Sequence, residues 1–253
     1  MRILALITLL LCSLPTLAKH YIIGAQNIHY YPHYDFQSSV DKGLGWAILE
    51  AYAKSSGHQF SYHAMPITRL QRELNKGNVD FIYPDNPQWY AGTDAQYPKT
   101  YSGPLVRTLG GTIVRPADVG KGVAYVKRLS FPLGFSPVIW QPRIDAGLLD
   151  VVPVNDTMAA LELLQRGRVE AANLEYNVVQ YIASVTPNLG PFIMDTSLPY
   201  VDVGFRLSTL NHPELIADLN VFLAENIPLL QRLYQQYKIS PPPEILAQLA
   251  STY

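Results

Sequence analysis

Cysteine is almost absent. The 253 residues hold one, Cys12, and it falls inside the N-terminal apolar run. Met1-Arg2 gives a positive start, Ile3 to Leu14 an apolar stretch of about a dozen residues, and Pro15-Thr16-Leu17-Ala18 a small-residue cleavage position, so residues 1–18 are expected to be a secretory signal peptide. The stretch is too short and wrongly flanked for a transmembrane span. Lipidation of Cys12 is disfavoured because Leu11, not a small residue, precedes it. Once this segment is removed the chain has no thiol, which excludes a disulfide framework and a cysteine nucleophile. Export without disulfides suits a bacterial periplasm better than a eukaryotic secretory route. No later stretch approaches bilayer length, so a soluble periplasmic protein is expected.

Charge is also sparse. Lys and Arg number 19 against 20 Asp and Glu, for a formal net charge of −1, and neither sign clusters. The absence of a basic stripe argues against nucleic acid or an anionic membrane as partner. Six histidines are scattered, and His29, His33, His58 and His63 stand at no metal-ligand spacing. Gly-x-Ser-x-Gly and phosphate-loop patterns are missing as well. No enzymatic machinery is visible, and no cofactor or metal is expected. Tyrosine, by contrast, is plentiful at 17 residues. Most of these rings are read as half-buried packing with a satisfied hydroxyl.

What is present is one supersecondary unit, twice. Leu70 to Asn86 is a helical run ending at Lys76-Gly77 and followed by Val79-Asp80-Phe81-Ile82-Tyr83-Pro84-Asp85-Asn86. Ala160 to Asn177 is a helical run ending at Arg166-Gly167 and followed by Val169-Glu170-Ala171-Ala172-Asn173-Leu174-Glu175-Tyr176. The offset 167 − 77 = 90 also pairs Leu74 with Leu164, Val79 with Val169, Asp80 with Glu170 and Asp85 with Glu175. Glycine after the last turn predicts a left-handed C′ residue, where a Cβ would be costly, and a basic residue just before it suits the helix dipole. So brief a helix-to-strand step is the second half of a βαβ crossover, and each copy implies its own parallel sheet. Ligands of open α/β sheets bind beyond the carboxyl ends of the strands, which makes Tyr83–Trp89 and Asn173–Asn177 candidates for facing walls of a cleft.

Along the chain, His20–Gln26 reads as a strand running into the loop 29–36. Leu44, Ala47-Ile48 and Ala51-Tyr52 mark an amphipathic helix stopped at Ser56-Gly57. Gln59–Ala64 alternates as a strand, and Thr68 is a candidate N-cap for the helix carrying Arg69 and Arg72. Tyr97 to Arg115 reads as a crossing between lobes, with Leu105–Val114 a strand interrupted by Gly110-Gly111. Val123–Val126 is expected to begin the second sheet, Phe131–Ile139 to be a loop with a short helix, and Leu149–Val154 a strand. Thr157–Gln165 is a helix with Asn155-Asp156-Thr157 as its capping region. Tyr176–Ser184 is a helix, Phe192–Ser197 and Val201–Leu207 are extended, and helices follow from His212-Pro213-Glu214 and through Ile227–Tyr237. Ser240-Pro241-Pro242-Pro243 reads as a polyproline spacer before a last short helix.

In order and spacing, these elements resemble solute-binding protein family 3, the amino-acid-type periplasmic binding proteins of ABC importers. The resemblance is carried by Tyr30-Tyr31-Pro32 after the first strand, the helix within Gly45–Gly57, Leu74-Asn75-Lys76-Gly77-Asn78-Val79-Asp80, Tyr97-Pro98-Lys99-Thr100-Tyr101-Ser102-Gly103, and Leu164–Glu175, and it covers essentially the whole exported chain. It implies an α/β, two-lobed type II periplasmic-binding-protein-like fold, each lobe a mainly parallel sheet flanked by helices, joined by a two-strand hinge. The expected divisions are residues 19–107 for the first part of lobe 1, 108–197 for an inserted lobe 2, 198–240 for the return to lobe 1, and 241–253 for a Pro-rich tail. The implied function is capture of a small polar or amine-containing solute by hinge closure. The protein would be a monomer working with an inner-membrane permease or a membrane sensor, and a dehydratase or lyase on the same fold is the minority alternative.

Resemblance also assigns residues. Glu175 stands where amino-acid binders place the acid that holds the α-ammonium. The arginine that holds the α-carboxylate should follow the first-lobe strand, where this chain has Pro87-Gln88-Trp89-Tyr90. Without a bidentate guanidinium, an ordinary α-amino acid is a poor fit. Asp85 ends the other copy of the strand and is a second acidic candidate for ligand contact. Asp80 and Glu170, at the strand starts, are read as structural. Tyr31, Tyr34, Trp89 and Tyr176 are candidates for a box around an apolar or cationic group, an attraction of about 0.5–2 kcal/mol for a cation over a ring. Arg69 at the cleft rim, Tyr83 and Ser130 complete the candidate contacts, and Trp140 is assigned to packing.

Overall fold

The computed structural model describes residues 19–90 and 98–252, so residues 1–18, where a signal peptide is expected, Tyr97 and Tyr253 lie outside the described residues. The first half of the chain runs β1 (His20–Gln26), α1 (Leu44–Ser56), β2 (Gln59–Met65), α2 (Ile67–Asn75), β3 (Phe81–Asp85), β4 (Thr100–Tyr101) and the long strand β5 (Val106–Val114). The second runs β6 (Arg128–Pro132), α3 (Gln141–Asp145), β7 (Asp150–Val154), α4 (Thr157–Gln165), β8 (Ala171–Glu175), α5 (Tyr176–Val185), β9 (Ile193–Met194), β10 (Val201–Thr209), α6 (Pro213–Glu225), α7 (Ile227–Gln236) and α8 (Pro242–Thr252).

The repeated unit folds identically in its two copies. Gly77 and Gly167 adopt φ of 72° and 64°. In the first copy the Gly77 and Asn78 N–H groups donate to the Leu74 and Glu73 carbonyls, and in the second the Gly167 and Arg168 N–H groups donate to Leu164 and Leu163. Both are Schellman ends, which satisfy carbonyls that the helix leaves without partners. The acid three residues beyond each glycine then does the same work. Asp80 Oδ2 accepts the Ile22 N–H of β1 at 2.7 Å, and Glu170 Oε2 accepts the Arg128 N–H of β6 at 2.7 Å. Each carboxylate thus stitches the crossover to the strand at the middle of its lobe, as the structural reading of the two acids expects.

Strand order carries the duplication to the level of the lobes. One sheet is ordered β2-β1-β3-β10 and the other β7-β6-β8-β5, with the first three strands parallel and the fourth antiparallel in each. The two fourth strands pair with one another from Val201–Gly110 to Phe205–Val106. Beyond that point β10 moves across to pair with β3 at Arg206–Thr209, so a single strand serves both sheets. The glycines at 110 and 111 do not interrupt β5. A Cβ on Gly111 would stand 2.1 Å from Met194 Cε, so a larger residue there would require the Met194 side chain of β9 to move.

Several local expectations are corrected. Pro66, extended at φ −56° and ψ 141°, occupies the N-cap of α2 and accepts the Arg69 N–H, leaving Thr68 inside the first turn. Val123–Tyr125 is a single 3-10 turn and the sheet begins only at Arg128, where Glu170 provides an acceptor; Val126 is core without being strand. Phe131 and Pro132 belong to β6 and pair with Pro153 and Val154. Pro242 and Pro243 open α8 and do not space it, the first turn of a helix having no use for their missing N–H groups. Ile245 and Leu249 of that helix are buried in the main core. Asp156 caps α4, accepting the Ala159 N–H at 2.8 Å. Trp140 is fully buried and its indole N–H donates to Thr112 Oγ1 at 3.1 Å.

Candidate functional site

The residues that follow β1, β3, β6 and β8 converge on one cavity of about 90 Å³, with β5 and β10 as its floor. Tyr30 and Tyr34 come from the loop after β1, Trp89 from the turn after β3, Gly134 to Ser136 from the loop after β6, and Asn173 to Glu175 from the end of β8. The two sets of strand ends touch across it. Tyr30 and Phe135 rings stand 5.3 Å apart edge to face, and the Ser136 hydroxyl donates to the Trp89 carbonyl at 3.2 Å. Ile67, at the start of α2, abuts Gly134, where an added Cβ would lie 3.2 Å from the isoleucine Cβ. The cleft between the lobes is therefore closed.

Glu175 is the charged side chain of the lining, and it is already held. It is 3 % exposed; Oε2 accepts the Val178 N–H at 2.8 Å, capping α5, and Oε1 accepts the Asn177 side-chain amide at 3.0 Å. His33 Nε2 stands 2.8 Å from Oε2, out of line for a straight hydrogen bond, and His33 is fully buried. Burial alone would raise the carboxyl, but the His33 charge and its contact, with the Thr108 hydroxyl and the Val178 N–H, hold it below the usual glutamate value. Burial first, and then the Glu175 charge, push the neighbouring Tyr30 phenol well above its ordinary value. The pair joins the loop after β1 to the end of β8, one element from each lobe.

Of the sequence candidates, Tyr34, Trp89 and Glu175 line the cavity. Tyr34 gives its hydroxyl proton to Gln26 Oε1 at 2.6 Å, and the Trp89 ring stands 5.9 Å from Phe205. The other candidates lie elsewhere. Tyr31 donates to Asp41 and its ring faces Tyr181 at 4.8 Å, outside the lining. Tyr176 begins α5 within the core, so the four rings do not form one box. Tyr83 is fully buried with its hydroxyl directed at Gly45 of α1. Asp85 is consumed by Lys99 at 2.6 Å and by the Ser208 hydroxyl. Ser130 donates to the Ala160 carbonyl at 3.4 Å in the interior, and Arg69 lies half exposed beside Glu73. Sequence reasoning missed His33, Phe135, Asn173 and Phe205 as site residues. Position 173 was marked as part of a cleft wall, but nothing in local spacing couples His33 to a glutamate so distant along the chain.

This architecture, two lobes with mirrored strand orders, a shared pair of crossing strands and a cavity between the strand ends, is the two-lobed type II periplasmic-binding-protein fold. Among solved structures it is similar to an arginine transport-system periplasmic binding protein from Legionella pneumophila, at TM-score 0.68 and 15% identity over 87% of this chain and 100% of that one. It is also similar to the VFT2 domain of BvgS from Bordetella pertussis, at 0.69 and 16% over 86% and 93%, and to the ancestral amino-acid-binding protein AncCDT-1, a precursor of cyclohexadienyl dehydratase, at 0.64 and 14% over 86% and 95%. No protein-family model and no curated protein matches the sequence. At these identities the likeness establishes the fold.

Proposed function

We propose that this chain is a periplasmic solute-binding protein whose lobes close over a small molecule in the cavity between β1, β3, β6 and β8. The observation that carries the reading is the buried His33–Glu175 pair, which spans the lobes at the cavity wall and so can form only when the cleft shuts. Hinge closure at a pair of crossing strands is the movement such an architecture permits. A cavity of about 90 Å³ is smaller than the roughly 150 Å³ that accepts benzene in an engineered apolar core, so a solute of ordinary size enters by opening the lobes and is then enclosed. An amine, expected from the position of Glu175, would have to compete with His33 for the carboxylate. The solute leaves unchanged, because Glu175 is tied to three partners and His33 does not line the cavity. A monomer delivering its solute to an inner-membrane permease is supported by the likeness to an arginine transport-system periplasmic binding protein.

The test is a thermal-shift screen over amino acids, amines, organic acids, alcohols and aromatic metabolites. A solute at a hundred times its dissociation constant adds about 2.7 kcal/mol, or roughly 5–11 °C at this chain length. A hit that is recovered unchanged by mass spectrometry and that shrinks the scattering radius supports the reading. A folded protein shifted by none of these classes would overturn it.

A further inference from the structure

We infer that the cleft selects an uncharged solute with an apolar body and one hydrogen-bond donor, in place of the zwitterion or amine that its fold and Glu175 suggest; the inference rests on the solute-binding reading above.

Three features point there. The walls are rings and branched chains: Tyr30, Trp89 and Phe135 face a floor that includes Val201, Val203 and Phe205. A ligand carboxylate would find no cation, since no Lys or Arg is among the described residues that line the cavity. A ligand ammonium would find the lining's carboxylate already satisfied by His33, the Val178 N–H and the Asn177 amide. Either charge would be desolvated without a partner, which is the costliest outcome for a buried group. Two polar atoms of the lining are buried with no hydrogen-bond partner, Thr108 Oγ1 and Asn173 Oδ1. The hydroxyl can turn its proton to the Glu175 carboxylate, which leaves the Asn173 acceptor as the open demand. Buried acceptors are nearly always satisfied, so a donor from the solute, a hydroxyl or an uncharged N–H, is the natural complement. Tyr34 and Gln26 answer one another and make no such demand.

The test is a matched set on one skeleton: phenylalanine, 2-phenylethylamine, 3-phenylpropanoate and 3-phenylpropan-1-ol, titrated calorimetrically into the purified protein, with the aliphatic counterparts leucine, isopentylamine, 4-methylpentanoate and 3-methylbutan-1-ol run beside them. The alcohol of at least one series is expected to bind about a hundredfold more tightly than its charged relatives, the scale of an unpaired buried charge. The variant His33→Leu frees the Glu175 carboxylate of its imidazole partner and is expected to improve amine binding by about tenfold or more. If that variant does not fold, Asn173→Leu serves instead, and removes the preference for the alcohol over a hydrocarbon of the same shape. Tight binding of an amino acid or an amine by the unaltered protein, with lobe closure, would leave the solute-binding reading standing and overturn this one. Binding of none of these probes by any of the proteins would overturn both.

Discussion

Replacing His33 by leucine isolates the energetics of the closed cleft. The substitution places an apolar side chain of similar bulk against Phe205, whose ring lies 5.5 Å from the imidazole, but leaves the 3 % exposed Glu175 carboxylate without its imidazole partner. Removing one partner of a buried pair costs about 3–5 kcal/mol. Two charge-assisted contacts survive, from Val178 N at 2.8 Å and Asn177 Nδ2 at 3.0 Å, so the lower end applies. At about 3 kcal/mol, and roughly 2–4 °C per kcal/mol for a chain of this size, the melting temperature should fall by about 6–12 °C. Glu175→Gln keeps an oxygen to cap α5, and in the His33→Leu background it removes the orphaned charge. The double variant should therefore be more stable than His33→Leu alone, costing about 1–2 kcal/mol in total. The assay is urea unfolding at pH 7 of all four proteins, compared as a double-mutant cycle. A His33→Leu cost under about 1 kcal/mol, or a double variant equal to the sum of the singles, would refute the claim that the pair is coupled and buried.

Two further predictions follow from the same geometry. Because the fold holds Glu175 below its free-chain value of 4.5, protonation favours the unfolded chain; its stabilising contribution is complete above that value and is lost as pH falls beneath it. The difference in melting temperature between the unaltered protein and Glu175→Gln should stay level from pH 7 to about pH 5 and narrow toward pH 3; a difference that widens on acidification would show the sign to be wrong. Within the first lobe, the Tyr83 hydroxyl is buried without a hydrogen-bond partner and would lie 2.0 Å from a Cβ on Gly45. Gly45→Ala should cost about 3 kcal/mol or more by overpacking, whereas Tyr83→Phe should be neutral or stabilising by up to about 1 kcal/mol; chemical denaturation of the two variants checks both.

Local chemistry determined much of this protein before any three-dimensional information entered. Gly77 and Gly167 end their helices because a left-handed residue needs no Cβ, and the two Schellman ends follow from that alone. The ninety-residue offset between the copies announced two lobes, since each crossover demands a parallel sheet of its own. It also placed Asp80 and Glu170 at equivalent strand starts, and they make equivalent bonds. The missing arginine after β3 was equally visible, because an absent residue type needs no geometry to be noticed. Where the reading slipped, the reason was local competition: Pro66 outbid Thr68 as the cap of α2, and Pro242 and Pro243 suited a first helical turn as well as an extended spacer.

Tertiary structure alone decided which side chains meet. Tyr31, Tyr34, Trp89 and Tyr176 share a composition that suggests a box, yet the path of the loop after β1 sends Tyr31 to Tyr181 and Tyr34 to the cavity. Asp85 and Glu175 occupy the same place in their copies, but Lys99 and Ser208 bury one in an ion pair while the other reaches the cleft. The imidazole beside Glu175 comes from the opposite lobe, so it is set by the closure of two sheets on each other and by no spacing in the chain. Helix ends, strand starts and duplication are short-range properties written in neighbouring residues. The charge balance and polarity of an interlobe cavity are sums over residues brought together from remote segments, and only the packed fold performs that sum.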